Sequence, residues 1–321
     1  MLFHSSKKPV ELQIIHLNKV KQKRQKQFEA TQEDKEDKQS CFSKLCKLAK
    51  SSKKGTDQSD IADDAKTIYV LDFDGDIKAS AVAHLREEIS TIITTAKAGD
   101  EVVLRLESGG GQVNAYGLAA AQLDRIKSAG LSLTVCVDKI AASGGYMMAC
   151  VADKIIVSDF GIIGSVGVVS QLPNFHELMR KHNIGYEMFT AGEYKRTVTV
   201  FGENTDEDRA KYQEEINRIH KLFKAFVKKH RPSLDVDKIA TGEFWFGEDA
   251  LALNLVDEVG TSDAYVLNLM DNHNVYALQL RSKPTLAEKL GLTEQMSSSI
   301  DVLIDGAGAS AAKLISKLNR P

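Results

Sequence analysis

The chain has 321 residues, 43% of them hydrophobic, and a formal net charge of −2. That length supports one large core with appendages or two modest domains, and the near-neutral charge excludes nucleic acid as the main partner, because phosphate binding needs a strong basic excess. Four cysteines in a chain this long exclude a disulfide framework.

Residues 1–66 differ from everything after them. Lys19 to Lys26 is basic, Glu33 to Lys38 alternates in sign, and Lys44 to Lys54 is basic again. Met1 to Asp60 holds 14 Lys and Arg against 8 Asp and Glu, about +6, which leaves about −8 for the remainder. Few aromatics and little periodicity predict a flexible or loosely helical charged arm. Two roles stay open for it, a solvated linker and a juxtamembrane segment drawn to an anionic membrane surface. Cys41 and Cys46 have no partner Cys or His pair with metal-ligand spacing. No run of about 18 apolar residues occurs, so no transmembrane helix is expected in the chain as given. Met1 to His4 is too short for a secretory signal and leads into Lys7 and Lys8.

A folded domain is expected over 67–265. Ile68 to Phe73 reads as a strand and Ala79 to Ala96 as an amphipathic helix carrying Val82, Leu85, Ile89 and Ile93. Glu101 to Leu106 is the next strand, followed by the turn Glu107-Ser108-Gly109-Gly110-Gly111. A helix from Asn114 to Ala129 turns Leu118, Ala121 and Ile126 to one face, and Gly130 stops it. Leu131 to Val137 is a buried strand holding Cys136. Then come Ser143 and a short helix containing Cys150, the strand Lys154 to Val157, and the glycine-punctuated apolar run Ile162 to Val169. Strands alternating with helices at this spacing predict an α/β fold with a largely parallel sheet. Further on, the pattern predicts a helix from Asn174 to His182, a short strand over Tyr186 to Phe189, and a long helix from Thr205 to Lys229 ended by Pro232. A helix over Gly247 to Leu255 follows, with Trp245 before it read as core or subunit interface. The last segment, 266–321, reads as a helical C-terminal extension with an amphipathic helix over Ile300 to Leu318.

The chemistry concentrates in Ala142-Ser143-Gly144-Gly145. A serine between a buried strand and a helix start lies beside unpaired N–H groups that favour developing negative charge, and the glycines let another backbone come close. That suits a nucleophile; a plain helix cap is the other reading. In such folds the crevice lies at the carboxyl ends of parallel strands, which places the Ser108 to Gly111 turn alongside. A nucleophilic serine needs a base. His176, His182, His220 and His230 all fall on polar helices, where a solvated face is expected. Lys195 offers another base, since a lysine accepts a proton once burial has favoured its neutral amine; a surface lysine is the other reading.

The stretches ASGGYMMACVADKI, GSVGVV, GEYKR, FGENTDEDR and NLVDEVG resemble the signal peptide peptidase A family of Ser–Lys serine peptidases. The later stretches are more similar to its SohB-type inner-membrane branch. The resemblance runs from about Lys66 to Ser262. It implies a ClpP-like or crotonase-like α/β fold of repeated β-β-α units and an endopeptidase working through an acyl-enzyme without cofactor or metal. By the same resemblance Ser143 is the nucleophile, Lys195, 52 residues later, is the base, and Ser165 helps position the lysine amine. Gly110, Gly111 and the Gly144 N–H form the oxyanion region. Also implied are a peptide or protein substrate with apolar segments, a homo-oligomer, and association with a bacterial inner membrane. Two departures stand out. Gly109 occupies a position where the family turn has proline, and the membrane span that relatives carry upstream is missing, so an upstream start or peripheral attachment is expected. A crotonase-type acyl-CoA enzyme and a non-catalytic scaffold on the same fold are the alternatives.

Overall fold

The computed structural model describes residues 10–36 and 65–282. In chain order its elements are β1 (Val10–His16), α1 (Leu17–Glu36), β2 (Thr67–Gly75), α2 (Val82–Thr95), β3 (Glu101–Ser108), α3 (Val113–Ser128), β4 (Ser132–Val137), β5 (Ile140–Ala142), α4 (Gly144–Ala149), β6 (Lys154–Val157) and β7 (Ile162–Gly164). They continue with α5 (His176–Lys181), α6 (Asp206–His230), α7 (Val236–Ile239), β8 (Phe244–Trp245), α8 (Gly247–Ala252), β9 (Glu258–Val259), α9 (Ser262–Leu269) and β10 (Asn274–Ser282). Residues 14–279 form one compact unit. The described part of a second unit, Met1–Gln13 with Leu280–Pro321, is the outer ends of β1 and β10.

Runs of consecutive apolar residues build the centre of the sheet. Val102, Val103 and Leu104 on β3, Val135, Cys136 and Val137 on β4, and Ile155, Ile156 and Val157 on β6 are all buried. Burial without alternation means that both faces are covered, as a parallel sheet requires. The strand order is β1-β10-β2-β3-β4-β6-β9, with β5 paired to β3 and β7, and β8 paired to β7. The pairings from β10 through β9, and those of β5, are parallel; β7 and β8 run antiparallel. The α/β expectation therefore holds.

Several elements depart from the sequence expectation. The helix expected from Ala79 begins at Val82, because Ala79 has φ 50° and closes a turn on Asp76. On α3 the buried face is Tyr116, Ala119, Ala120, Leu123 and Ile126, while Leu118 and Ala121 are exposed. An alanine-rich helix offers two similar apolar stripes, and the large ring at Tyr116 decides which one turns inward. Gly130 does stop this helix: it has φ 77°, and the Leu131 N–H reaches back to the Ile126 carbonyl at 3.3 Å. No strand forms over Tyr186 to Phe189, which is exposed throughout. The long helix is α6, opened by a reciprocal capping box between Thr205 and Asp208.

Two segments assigned to appendages carry regular structure. Residues 10–36, expected within a flexible or loosely helical arm, hold β1 and α1. The expected C-terminal extension, 266–321, holds the second half of α9 and all of β10, and β10 pairs with β2 over Asn274 to Ala277. Asn18 is the clip between these two regions. It is buried, donates from Nδ2 to the Met270 and His273 carbonyls at 2.9 Å each, and accepts the Val275 N–H at 2.9 Å. Cys41, Cys46 and the segment Ile300 to Leu318 lie outside the described residues.

Candidate active site

Three adjacent strands end together and between them deliver five of the expected site residues. Ser108 on β3 lies opposite Ala141 on β5, and Ala141 lies opposite Ile163 on β7. Just beyond those ends come Gly110 and Gly111, Ser143 with Gly144, and Ser165. All five line one cleft of about 950 Å³, at the carboxyl ends of the strands where the topology predicts a crevice.

Ser143 sits at φ 53°, ψ −115°, a conformation rarely open to a residue with a side chain. The surroundings hold it there. Its N–H donates to the Gly164 carbonyl at 2.8 Å, and its own carbonyl accepts the Met147 N–H at 2.9 Å. The side chain makes no capping bond to α4. The plain-cap reading therefore fails, and the hydroxyl is left to the cleft. A sharp, strained strand-to-helix turn is the device that lifts a nucleophilic hydroxyl clear of its own backbone.

The neighbouring turns come very close. A Cβ added to Gly110, which has φ 86°, would stand 2.6 Å from the Gly144 nitrogen and 2.9 Å from Ser143 Cβ. Glycine is required there on both counts. The Gly110 N–H is used inside its own turn, donating to Ser108 Oγ at 3.1 Å. This corrects the expectation for that donor: Gly110 supplies the close approach rather than a free N–H. The Gly111 and Gly144 N–H groups make no hydrogen bond among the described residues, which suits a pair of donors awaiting an anion. Gly109 is not demanded by geometry, since a Cβ there would touch only Ile140 Cδ1, at 3.9 Å. Ser165 also has positive φ, 52°, fixed by its N–H donating to the Glu243 carbonyl at 2.6 Å.

Lys195 is not brought to this cleft. It stands in an exposed segment, Gly192 to Arg196, its N–H closing a turn onto the Gly192 carbonyl at 3.1 Å. What faces the cleft instead is α6, through Gln213, Ile216, Asn217, His220 and Phe223. His220 was expected on a solvated face. It lines the cleft, with Nε2 3.2 Å from the Val166 carbonyl oxygen. The signal was there in the spacing of Ile216, His220 and Phe223, which puts all three on one stripe. His176 and His182 are not part of the cleft lining, and the His230 ring packs tilted against Phe226 at a centroid distance of 4.5 Å. Cys136 and Cys150 are buried, and burial pushes both thiols up to about 12, so they are unreactive core residues. Trp245 is half-buried and pairs in β8 with Ile163, its ring against Gly164.

Residues 125–276 match peptidase family S49, and residues 2–123 match the N-terminal part of the same family. A probable protease SohB of Haemophilus influenzae is 58% identical over 224 residues, 70% of this chain and 64% of that protein. The chain thus matches a little under two thirds of that relative's length. A probable protease SohB of Buchnera aphidicola is 53% identical over 70% of this chain and 67% of its own length. Protease 4 of Haemophilus influenzae is 32% identical over 50% of this chain and 26% of its own length. Both parts of one family description are matched in order, and a relative more than half identical is covered over two thirds of its length, so this chain belongs to peptidase family S49.

Proposed function

We propose that the protein is a serine endopeptidase that cleaves polypeptides carrying apolar segments through an acyl-enzyme on Ser143. The observation that carries this reading is the strained backbone of Ser143 beside two free N–H groups. In this scheme Ser143 Oγ attacks the scissile carbonyl and its proton passes to the base. The oxyanion takes the N–H groups of Gly111 and Gly144, and the amine leaves with the proton. Water then releases the acid by the reverse path. The apolar lining, with Ile77, Met147, Val168, Ile216 and Phe223, suits apolar substrate side chains. No Lys or Arg lines the cleft among the described residues, so no cationic side chain there would pair with the phosphates of an acyl-CoA.

Lys195 is the base in this proposal, supported by the place of GEYKR in the family pattern. A lysine amine loses its proton readily only where water is excluded, and Lys195 is exposed in the isolated chain. The segment around it also exposes Val169, Leu178 and Phe189, the last at 90%. A homo-oligomer covering this apolar stretch would dry the lysine and hold it near Ser143. Lys19, Lys23 and Arg24 on α1 are exposed and would favour an anionic inner-membrane surface. No described helix is long and apolar enough to cross a membrane.

Hydrolysis of an apolar peptide by purified protein tests the assignment. Ser143→Ala and Lys195→Ala are each expected to abolish turnover while the circular dichroism of the fold is unchanged. Undiminished turnover by Ser143→Ala contradicts the nucleophile, and undiminished turnover by Lys195→Ala contradicts the base.

A further inference from the structure

A buried hydrogen-bond chain runs beneath the two glycine turns. Tyr116 on α3 is fully buried. Its hydroxyl lies 2.7 Å from the Asp76 carbonyl oxygen and 2.5 Å from Ser108 Oγ, and Ser108 Oγ lies 3.1 Å from the Gly110 nitrogen. A carbonyl oxygen only accepts and a backbone N–H only donates, whereas either hydroxyl can donate across the 2.5 Å contact. When Tyr116 donates to Asp76, it accepts from the Ser108 hydroxyl, which in turn accepts from Gly110. When Tyr116 donates to Ser108, the Ser108 proton is left for the Gly75 carbonyl, 3.2 Å away. Either way, the Gly110 N–H, the Ser108 and Tyr116 hydroxyls and the Asp76 carbonyl form one continuous chain.

The ring of the same tyrosine lies under the second turn. A Cβ on Gly144 would collide with Tyr116 Cγ and stand 2.8 Å from Cδ2. One side chain thus touches the backbone on which Gly144 is mounted and, through Ser108, ties down the turn that carries Gly111. Three consecutive glycines have no stiffness of their own, so the Gly109 to Gly111 turn must be fixed from outside.

We propose that Tyr116 is the positioning residue of the anion-binding pair: its hydroxyl fixes the Gly110–Gly111 turn through Ser108, and its ring fixes Gly144, so that both free N–H groups reach one oxygen. This rests on the reading of Gly111 and Gly144 as oxyanion donors to a substrate held on Ser143. Donor pairs of this kind act only when aimed at the oxygen of the tetrahedral state, so loosening one of them lowers the rate rather than substrate affinity.

The test uses Tyr116→Phe in the full chain, which keeps the ring and removes the hydroxyl. With a peptide substrate, kcat falls about ten- to a hundredfold while KM stays within about twofold, and affinity for a peptide boronate, which mimics the tetrahedral state on Ser143, falls by a factor similar to kcat/KM. Ser108→Ala breaks the same chain one link away and gives the same pattern, and the double variant is no slower than the slower single. A Tyr116→Phe enzyme with kcat within about twofold of the parent overturns the proposal. So does a fall in kcat with boronate affinity unchanged, or a double variant whose loss is the product of the two singles. If Tyr116→Phe does not fold, Ser108→Ala read against the same kcat and boronate criteria decides. Ser143→Ala separates the two levels. Full hydrolysis by that variant removes the underlying reading, whereas its inactivity beside an unimpaired Tyr116→Phe removes only the role of Tyr116.

Discussion

At Ser143 stability and chemistry pull in opposite directions. A non-glycine residue held in such a backbone region costs roughly 1–3 kcal/mol, and the fold bears that cost at a residue whose side chain caps nothing. Ser143→Gly removes the strain, although glycine loses more freedom on folding, an opposing effect of about 0.5–1 kcal/mol. The variant is expected to be inactive and yet as stable as the parent or more so, by up to about 2 kcal/mol in denaturant titration. A clear loss of stability would mean that the φ of 53° carries no strain. The serine and both glycine turns were legible in the sequence, because only a few residue types fit a strand end followed by a close backbone approach. The conformation of Ser143 was not. It depends on Gly164 and on the Gly110 backbone, which reach it through pairings remote in the sequence. The same holds for His220, whose place depends on where α6 lies over the cleft.

The elements that carry a local signature were read well. The Thr205 and Asp208 capping box, the positive-φ glycine at the end of α3, and the apolar runs of β3, β4 and β6 need nothing beyond their neighbours in the chain. Elements fixed by distant partners were less legible. The start of α1 read as part of a flexible or loosely helical arm, because what fixes it is remote in sequence: Asn18 bonds residues about 250 positions away, Lys21 pairs with Asp271, and Leu17 packs on the core. Asn18→Ala leaves two carbonyls and the buried Val275 N–H without this partner. It is expected to cost on the order of 2 kcal/mol, measured as a shift in denaturation midpoint, and to expose the start of α1 to proteolysis. Unchanged stability would show that the clip is dispensable. Arg231, just past the end of α6, has a similar long-range role. Burial works against its charge, but the Asp257 carboxylate, 2.8 Å from both Nη1 and Nη2, keeps it firmly protonated.

On the scale of the whole molecule, acid acts on two half-buried imidazoles. Burial, then the charge of Lys19, lowers the affinity of His16 for a proton. For His230 burial also dominates, outweighing Asp124, whose carboxylate works the other way, with Lys229 and Lys127 adding to the lowering. In both, the folded state binds the proton less well than the unfolded chain, whose histidines titrate near 6.5. Their contribution is therefore intact above about pH 6.5 and is lost as the pH falls through that value towards the lower folded pKa. Denaturant midpoints are expected to drop between about pH 7 and pH 5, and His230→Gln to flatten part of that drop. A midpoint that stays level over the range would contradict the burial argument. The fold class was legible from the alternation of strands and helices, but the closing of the cleft by α6 and the exposure of Lys195 belong to tertiary arrangement. The central claim is tested most directly by mass spectrometry of the full-length protein after reaction with a fluorophosphonate, in which a serine oxygen displaces fluoride from phosphorus. The account predicts a single adduct per chain, mapped to Ser143 and absent from Ser143→Ala. An adduct on another residue, or a Ser143→Ala protein that still takes up the label, would contradict it.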